Sequence, residues 1–364
     1  MTSVYIRTIG INSERCQDSA QLAAQLGGSA AVSACADRYS AAAIRLGADG
    51  LAVIGREDRS TLNELSTGVL NAISDALRHT GTAWMGETDN VAVFTGTDGA
   101  ELTFSALGSL IDRAGDAAID RLGELKSLTN PINMMRLLST NATYHVSKRF
   151  GAHGGGYPNQ SMSLSGLSAL EDAVHTLRAG ISERAVVVAS GNMRSFDSLV
   201  VFGKLGLLDE DAGRQQVDPA YGAAALVIDS AAAHDGPAPV AEVLAVETRF
   251  APDPFVTVAT WTGLFTAARA RHGLPDLIVT YANGSRQLEE TETAARDAVF
   301  GAIPTRNYKR YFGYTGKANN LLDLAAALAD DSIPAGATVL LCGAGFGFGI
   351  GYLLVRKLGQ PVLQ

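Results

Sequence analysis

Short apolar runs and longer amphipathic segments alternate along this chain. The apolar runs are rich in valine, isoleucine and other strand-forming residues, and several of them end at glycine or a polar turn. Such runs are typical of buried β-strands. The predicted strands are 4–9, 51–54, 90–95, 184–190, 223–229, 240–246, 275–281, 338–342 and 351–356.

Segments with an apolar residue at every third or fourth position predict helices. The predicted helices are 58–77, 164–177, 256–271, 290–300 and 319–329. Because strands alternate with helices, we expect an α/β fold whose sheet is mostly parallel and covered on both faces. The strands at 223–229 and 240–246 are expected to pair antiparallel across a turn at 231–239. The alternation alone also allows other doubly wound folds.

Composition and charge exclude several classes of protein. The chain has 364 residues, which exceeds the usual size of a single domain. Its formal net charge of -8 argues against a nucleic-acid partner. No basic segment followed by an apolar one opens the sequence, and no apolar run reaches about 18 residues. We therefore expect a cytoplasmic protein with neither a signal peptide nor a membrane span.

The cysteines give no indication of a metal site. Cys16, Cys35 and Cys342 are scattered, with no Cys-x-x-Cys spacing and no histidine cluster nearby. Paired cysteines or a Cys/His cluster would be needed for structural zinc. We expect reduced thiols, no metal and no cofactor.

Five segments combine glycine with polar or aromatic residues, and they carry the candidate chemistry. The first runs from Gly154 to Ala173 and is typical of a loop, a short strand and a sharp turn into a helix. Its turn is Ser161-Met-Ser-Leu-Ser-Gly166. The other segments are Tyr144-His-Val-Ser-Lys-Arg-Phe-Gly151, Thr280-Tyr-Ala-Asn-Gly-Ser-Arg286, Lys309-Arg-Tyr-Phe-Gly-Tyr-Thr-Gly-Lys-Ala-Asn-Asn320 and Ala344-Gly-Phe-Gly-Phe-Gly-Ile-Gly351.

Together these segments resemble the motifs of β-ketoacyl synthases of the thiolase fold. The resemblance runs from about Asn90 to the C-terminus, and the first 80 or so residues match only loosely. It implies an α-β-α-β-α layered fold made of two similar halves. We place these halves at 1–230 and 231–364.

The resemblance also implies a degenerate catalytic site. Ser163 stands at the position of the nucleophilic cysteine, and Asn283 and Tyr314 stand at the positions of the two catalytic histidines. Lys309 and Asp323 fall at the family's lysine and acidic positions. The amide and the phenol can donate hydrogen bonds, but neither transfers protons near neutral pH as histidine does. A serine hydroxyl without a base is a poor nucleophile, so the substitutions predict a relative that does not catalyse condensation.

The last of the five segments resembles the family's gating loop. Phe346, Gly347 and Phe348 match its run of glycine and phenylalanine residues. A loop that needs this much backbone freedom beside two aromatic rings is typical of a functional segment.

A further stretch is assigned by the resemblance to the dimer interface. In the family, the residues after the Asn-Pro pair at 130–131 lie near the acyl-chain tunnel of the partner. Here they include Asn133, Met134 and Met135. Because methionine is an adaptable apolar filler, we expect these residues to set the depth of that tunnel.

Three functions are compatible with these residues. The first is a non-catalytic chain length factor of type II polyketide or polyene biosynthesis, which pairs with an active ketosynthase paralogue and meets an acyl carrier protein. The second is an acyltransferase, or a relative that forms C–O or C–N bonds, with Ser163 as its reactive group. The third is a decarboxylase in which Asn283 and Tyr314 bind the carbonyl of a malonyl thioester.

Each of these residues also has a plainer interpretation. Serine before a helix is often an N-cap, and Asn-Gly is a common turn. On these interpretations Ser163 is an N-cap, Asn283 is part of a turn, and Tyr314 only packs against its neighbours. Lys309, Lys317 and Asp323 are then solvated surface residues.

Overall fold

The computed structural model describes residues 2–31, 47, 54–85, 88–98, 131–208, 217–230, 236–253 and 255–360. Within that part of the chain, nine strands form a single sheet. They are β1 (Val4–Ser13), β2 (Val91–Gly96), β3 (Arg184–Asn192), β4 (Tyr221–Ser230), β5 (Ala241–Arg249), β6 (Leu277–Val279), β7 (Thr305–Arg306), β8 (Thr338–Gly345) and β9 (Gly349–Lys357).

Helices pack against both faces of the sheet. The described α-helices are α1 (Ser19–Leu26), α2 (Arg56–Arg59), α3 (Glu64–Leu77), α4 (Pro131–Leu137), α5 (Asn141–Phe150), α6 (Ser165–Arg178), α7 (Phe196–Lys204), α8 (Val258–His272), α9 (Arg286–Phe300), α10 (Lys309–Phe312) and α11 (Asn319–Ala329). Short 3-10 turns at Met162–Leu164 and Gly316–Ala318 precede α6 and α11.

The strands follow the order β2-β3-β4-β1-β5-β9-β8-β6-β7. Five neighbouring pairs run antiparallel and three run parallel, so the prediction of a mostly parallel sheet is wrong. The β8–β9 pair shows one physical reason. Only the residues between Gly345 and Gly349 connect these strands, and so short a connection can join antiparallel neighbours only.

The predicted pairing of 223–229 with 240–246 is also wrong. Strand β1 lies between β4 and β5 and pairs antiparallel with both, so that Val4 faces Ser230 on one side and Val243 on the other. Consequently β4 and β5 run in the same direction. The N-terminal strand takes this central place because it is apolar enough to be buried there, with Val4 and Ile6 fully buried.

The order of elements repeats along the chain. Strand, helix, strand, buried helix and two strands occur as β1-α3-β2-α6-β3-β4 and again, with insertions, as β5-α8-β6-α11-β8-β9. The buried helices α6 and α11 contact each other and pack against strands, and α6 reaches β5 of the second set. The α/β prediction is confirmed. The boundary between halves at 1–230 and 231–364 stays a prediction.

Most of the other predicted elements are present, with shifted ends. The helix predicted at 58–77 begins at Glu64, because the side chain of Asn63 accepts a hydrogen bond from the backbone N–H of Ser66 and caps it. A separate short helix, α2, covers the residues before this cap. The helix predicted at 290–300 begins at Arg286. The strand predicted at 51–54 lies almost wholly outside the described residues.

Candidate functional site

Ser163 lies in a tight turn immediately before α6. The turn follows a segment at 154–159 that runs beside β2 and forms backbone hydrogen bonds with it. For example, Val93 N donates to Gly155 O at 2.9 Å. Met162 then adopts φ 50°, a left-handed value that is uncommon for a residue with a side chain. This turn places the Ser163 side chain, only 6% exposed, in the wall of a cavity.

Two glycines bring the turn at Gly316–Ala318 close to Ser163. A Cβ at Gly166 would come within 2.7 Å of the carbonyl oxygen of Lys317, and a Cβ at Gly191 would come within 2.1 Å of the carbonyl oxygen of Thr315. Any larger residue at either position would separate the segments. The glycines therefore allow residues 315–317 to lie against the start of α6, at Gly166, and against β3, at Gly191.

Three hydroxyl groups meet at the centre of the site. Ser163 Oγ is hydrogen-bonded to Tyr314 Oη, and Tyr314 Oη lies 2.8 Å from Tyr281 Oη. All three side chains are buried. Burial raises the pKa of Tyr281 well above its ordinary value, and the neighbouring phenol of Tyr314 adds to the effect, so Tyr281 is a neutral phenol near pH 7. Sequence reasoning missed Tyr281, although its place two residues before Asn283 was a usable signal.

Asn283 lies in the wall of the same cavity but is not bonded to Ser163 or Tyr314 in the described part of the chain. Its side-chain oxygen accepts from the backbone N–H of Ser285 at 3.0 Å, which closes a local turn. The structure thus brings Ser163 and Tyr314 into contact and leaves the third position apart from them.

A buried carboxylate supports the loop that carries Asn283. Glu292 of α9 accepts from the backbone N–H groups of Tyr281 at 2.9 Å and Ala282 at 3.1 Å. Burial raises the pKa of Glu292, and these two N–H groups oppose that shift. Sequence reasoning did not single out Glu292, because an acidic residue within a charged helix carries no distinctive pattern.

Lys309 and Asp323 form a buried ion pair. Lys309 Nζ lies 2.5 Å from a carboxylate oxygen of Asp323 and also donates to the carbonyl oxygen of Thr280 at 3.1 Å. The amide of Asn319 donates to the same carboxylate oxygen of Asp323 at 3.2 Å. Burial raises the pKa of Asp323, and the Lys309 ammonium opposes the shift. The pair ties the end of β6 to α11, and neither residue is on the surface.

The cavity beside Ser163 has a volume of about 260 Å³. Its uncharged polar lining is formed by Ser163, Ser198, Tyr281, Asn283, Ser285 and Tyr314, and its charged lining by Asp98, Asp197 and Lys317. Much of the remaining wall is apolar and is formed by Met162, Met193, Val201, Phe202, Leu205, Leu207, Phe255, Leu288 and Phe346. An apolar cavity with a few converging polar groups is the usual form of a small-molecule site.

The residues of the gating-loop motif occupy the connection between β8 and β9. Phe346 lines the cavity and meets the ring of Phe255 edge-on, with centroids 5.9 Å apart. Gly347 has φ 78°, which lets the chain reverse, and Phe348 N donates to Gly345 O at 2.5 Å. Phe348 is 48% exposed and is not in the cavity wall. The two aromatic residues of the motif therefore have different surroundings.

Lys317, like Tyr281 and Glu292, is a residue of the site that the sequence did not identify. A solvated position was one interpretation of it, but its side chain is only 6% exposed. Its Nζ lies 2.5 Å from Asp98 Oδ1 and is also hydrogen-bonded to Gln160 Oε1. Lys317 and Asp98 both line the cavity. The surface interpretation of Lys317 is therefore wrong.

The proposed interface residues lie away from this cavity. Asn133, Met134 and Met135 are part of α4, and the two methionine side chains are 47% and 43% exposed. Neither methionine is among the residues that line the cavity. Their tunnel role stays a prediction.

The described residues contain no group of three or more His, Cys, Asp or Glu side chains arranged to hold a metal ion. None of the helices in the described ranges combines the length and the apolar character that crossing a bilayer requires. Cys16 and Cys342 are buried and not bonded to each other, and Cys35 lies outside the described residues.

Comparison with known proteins identifies the family. The family model described as β-ketoacyl synthase, N-terminal domain, matches residues 30–229. Because this match covers more than half of the chain, the protein belongs to the β-ketoacyl synthase family. No curated protein matches the chain in sequence.

Solved structures show the same fold at low sequence identity. A β-ketoacyl synthase from Burkholderia phymatum has a TM-score of 0.77 at 16% identity, with 98% of this chain and 100% of that chain covered. A chain of AntDE:AntF, a type II polyketide synthase acyl-carrier protein in complex with its ketosynthase bound to the hexaketide, has a TM-score of 0.75 at 14% identity, with 98% of this chain and 100% of that chain covered. The ishigamide ketosynthase/chain length factor has a TM-score of 0.71 at 19% identity, with the same coverage of the two chains. The predicted thiolase-like ketosynthase fold is confirmed.

Proposed function

We propose that this chain is a non-catalytic chain length factor subunit that pairs with an active β-ketoacyl synthase and shapes its acyl-chain tunnel. The observation that carries the proposal is the hydrogen bond between Ser163 Oγ and Tyr314 Oη. A serine nucleophile needs a base at this distance, and here its partner is a phenol. Among the described residues, Ser163 Oγ is hydrogen-bonded to no imidazole, carboxylate or amine.

Two structural neighbours support the proposed partners. One is described as a ketosynthase/chain length factor, and the other contains an acyl-carrier protein in complex with its ketosynthase. By analogy, the partners of this chain are an intact ketosynthase paralogue and an acyl carrier protein. A cytoplasmic location stays a prediction.

Exposed apolar side chains support the pairing itself. Large apolar residues that are more than a third exposed occur in and beside α4 and α5 and on the segment at 154–162. They are Ile132, Met134, Met135, Leu138, Tyr144, Tyr157 and Met162. A subunit interface is the usual reason for such exposure on a folded protein.

An open sheet edge lies in the same region. Residues 154–159 pair with one side of β2, while β3 pairs with the other side. In the described part of the chain, this segment is the last backbone at that end of the sheet. Exposed edges readily pair with another chain. A partner seated here would cover both the edge and the apolar side chains.

The hydroxyl cluster gives limited support to a second function. Ser163, Tyr281 and Tyr314 provide hydroxyl donors that suit a thioester carbonyl, as a malonyl-thioester decarboxylase requires. However, the carboxylates of Asp98 and Asp197 line the same cavity and disfavour a malonyl carboxylate. The acyltransferase or C–O/C–N bond-forming function is supported less, because it needs an activated Ser163.

Co-expression with intact ketosynthases tests the subunit proposal. The tagged chain should co-purify with one of them and elute as a 1:1 complex in size-exclusion chromatography. Met134→Glu should weaken the complex at least tenfold, because a charge in an apolar interface loses its hydration. Leu274→Glu, at an exposed leucine in the second half, is the matched control and should have no effect. A stable monomer that binds no ketosynthase would contradict the proposal.

A further inference from the structure

Lys317 is a buried cation in the cavity wall, and the proposed subunit function gives it no role. Its side chain is only 6% exposed, and its neighbours Asp98 and Gln160 lie on other segments of the chain. Gln160 is held in turn, since its Nε2 donates to the carbonyl oxygen of Thr97 at 2.6 Å. The cation is thus part of a fixed polar arrangement beside an otherwise largely apolar space.

The position of the backbone at Lys317 limits where its ammonium group can lie. The close approaches at Gly166 and Gly191 hold the turn that carries Lys317. An ammonium has three N–H donors, and the described residues supply acceptors for two of them, on Asp98 and Gln160. Within the described ranges the third donor has no acceptor, which leaves it for a group that occupies the cavity.

The size and the lining of the cavity suit a short acyl group. An apolar cavity of about 150 Å³ holds benzene, so 260 Å³ holds roughly ten non-hydrogen atoms. The side chains of α7 and the rings of Phe255 and Phe346 form much of the apolar wall. An acyl chain of a few carbons would fill this space.

Charge decides which acyl groups Lys317 can favour. The charged residues that line the cavity are Asp98, Asp197 and Lys317, which together carry one net negative charge. A ligand carboxylate would meet this excess and lose its hydration. A neutral carbonyl or hydroxyl oxygen accepts a hydrogen bond from the ammonium without that repulsion.

We propose that Lys317 is a specificity-determining residue that donates a hydrogen bond to the keto or hydroxyl oxygen of a short, neutral acyl group in this cavity. The proposal goes beyond the subunit function and does not depend on it, because the binding takes place within this chain.

Calorimetric titration of the full-length chain with two probes tests the proposal. The probes are the N-acetylcysteamine thioesters of 3-oxohexanoic and hexanoic acid, which differ only in the 3-keto group. The wild-type chain should bind the keto probe at least fivefold more tightly. Lys317→Met, which keeps the side-chain length, should abolish this preference and change the affinity for the hexanoyl probe less than twofold. Lys204→Met, at an exposed lysine of α7, is the matched control and should keep the preference.

A second variant keeps the test decisive if Lys317→Met fails to fold. Asp98→Asn removes one carboxylate from the cavity wall at a side chain that is 49% exposed. The thioester of 5-carboxypentanoic acid should bind the wild type at least fivefold more weakly than the hexanoyl probe does, and Asp98→Asn should reduce that gap. Equal wild-type affinities for the keto and hexanoyl probes, no binding of either probe, or a keto preference that survives Lys317→Met would overturn the proposal. None of these outcomes bears on pairing with a ketosynthase.

Discussion

Ser163 and Tyr314 are hydrogen-bonded through their hydroxyl groups inside the cavity, although 151 positions separate them in the sequence. The family resemblance assigns these positions to the nucleophile and to a catalytic histidine. The fold brings them together as two hydroxyl groups, one of which donates a hydrogen bond to the other. A site of this kind can bind a polar group, but among the described residues Ser163 is hydrogen-bonded to no base that could activate it.

Removal of the Ser163 hydroxyl should therefore have little effect on catalysis by the assembled pair. Ser163→Ala is expected to leave the rate of product formation within about threefold of the wild type, because that hydroxyl is not a nucleophile in this account. The measurement is the initial rate of the reconstituted complex with loaded acyl carrier protein. A loss of a hundredfold or more, in a complex that still assembles, would favour the acyltransferase interpretation.

Substitutions in α4 should change product length more than rate. Met134→Trp or Met135→Trp should shorten the products, because an added ring reduces the space available to the growing chain. Met134→Ala or Met135→Ala should lengthen them. The measurement is the chain-length distribution of the products by mass spectrometry. If the distribution stays unchanged with both bulky and small residues, the tunnel is bounded elsewhere.

Removing one partner of the buried ion pair between Lys309 and Asp323 should lower the stability of the protein much more than replacing both partners with apolar residues. Lys309→Met leaves the carboxylate of Asp323 without its cation and is expected to reduce the free energy of unfolding by about 3–5 kcal/mol. The double variant Lys309→Met/Asp323→Leu should recover much of that loss. Urea denaturation measures both values, and the exposed pair Arg286 and Glu290 provides the control, for which removal of either partner should change stability little. A double variant less stable than Lys309→Met would contradict this account.

The stability of the Asn283 loop should depend on pH through Glu292. Burial raises its pKa above the ordinary value of 4.5, so the folded state favours the protonated form. That contribution to stability is present below the ordinary pKa and is lost as the pH rises through the raised value. Glu292→Gln cannot ionise, so its free energy of unfolding should improve relative to the wild type as the pH rises from about 4.5 to 7. Denaturation series at several pH values, with Glu290→Gln as the control for removing a charge, check this. If the free energy of unfolding of Glu292→Gln instead falls relative to the wild type as the pH rises, the prediction is contradicted.

Local patterns were enough to predict most of the described strands and the five longest described helices. They did not predict the shorter helices α1, α4, α5 and α7, or how the strands pair. The apolar run at 4–9 identifies β1, and nothing in it shows that β1 separates β4 from β5, since partners far apart in sequence leave no periodic signal. The start of the helix predicted at 58–77 was missed because Asn63 is an N-cap only when its side chain reaches the backbone N–H of Ser66.

The candidate site was predictable only through motif resemblance. Ser163, Asn283 and Tyr314 were identified because they align with the catalytic positions of the family's motifs. The structure places all three in the wall of one cavity. Lys317 was missed because a lysine between glycine and alanine is typical of a surface turn. Its burial depends on Asp98 and Gln160, which are distant in the sequence.

Intact-protein mass spectrometry of the reconstituted pair tests the central claim most directly. The chain and its ketosynthase partner are incubated with acyl-loaded acyl carrier protein, separated and weighed. Our account predicts an added acyl mass on the partner alone, with this chain at its unmodified mass. An acyl adduct on this chain, located at Ser163 by peptide mapping and lost in Ser163→Ala, would contradict the claim that it is a non-catalytic subunit.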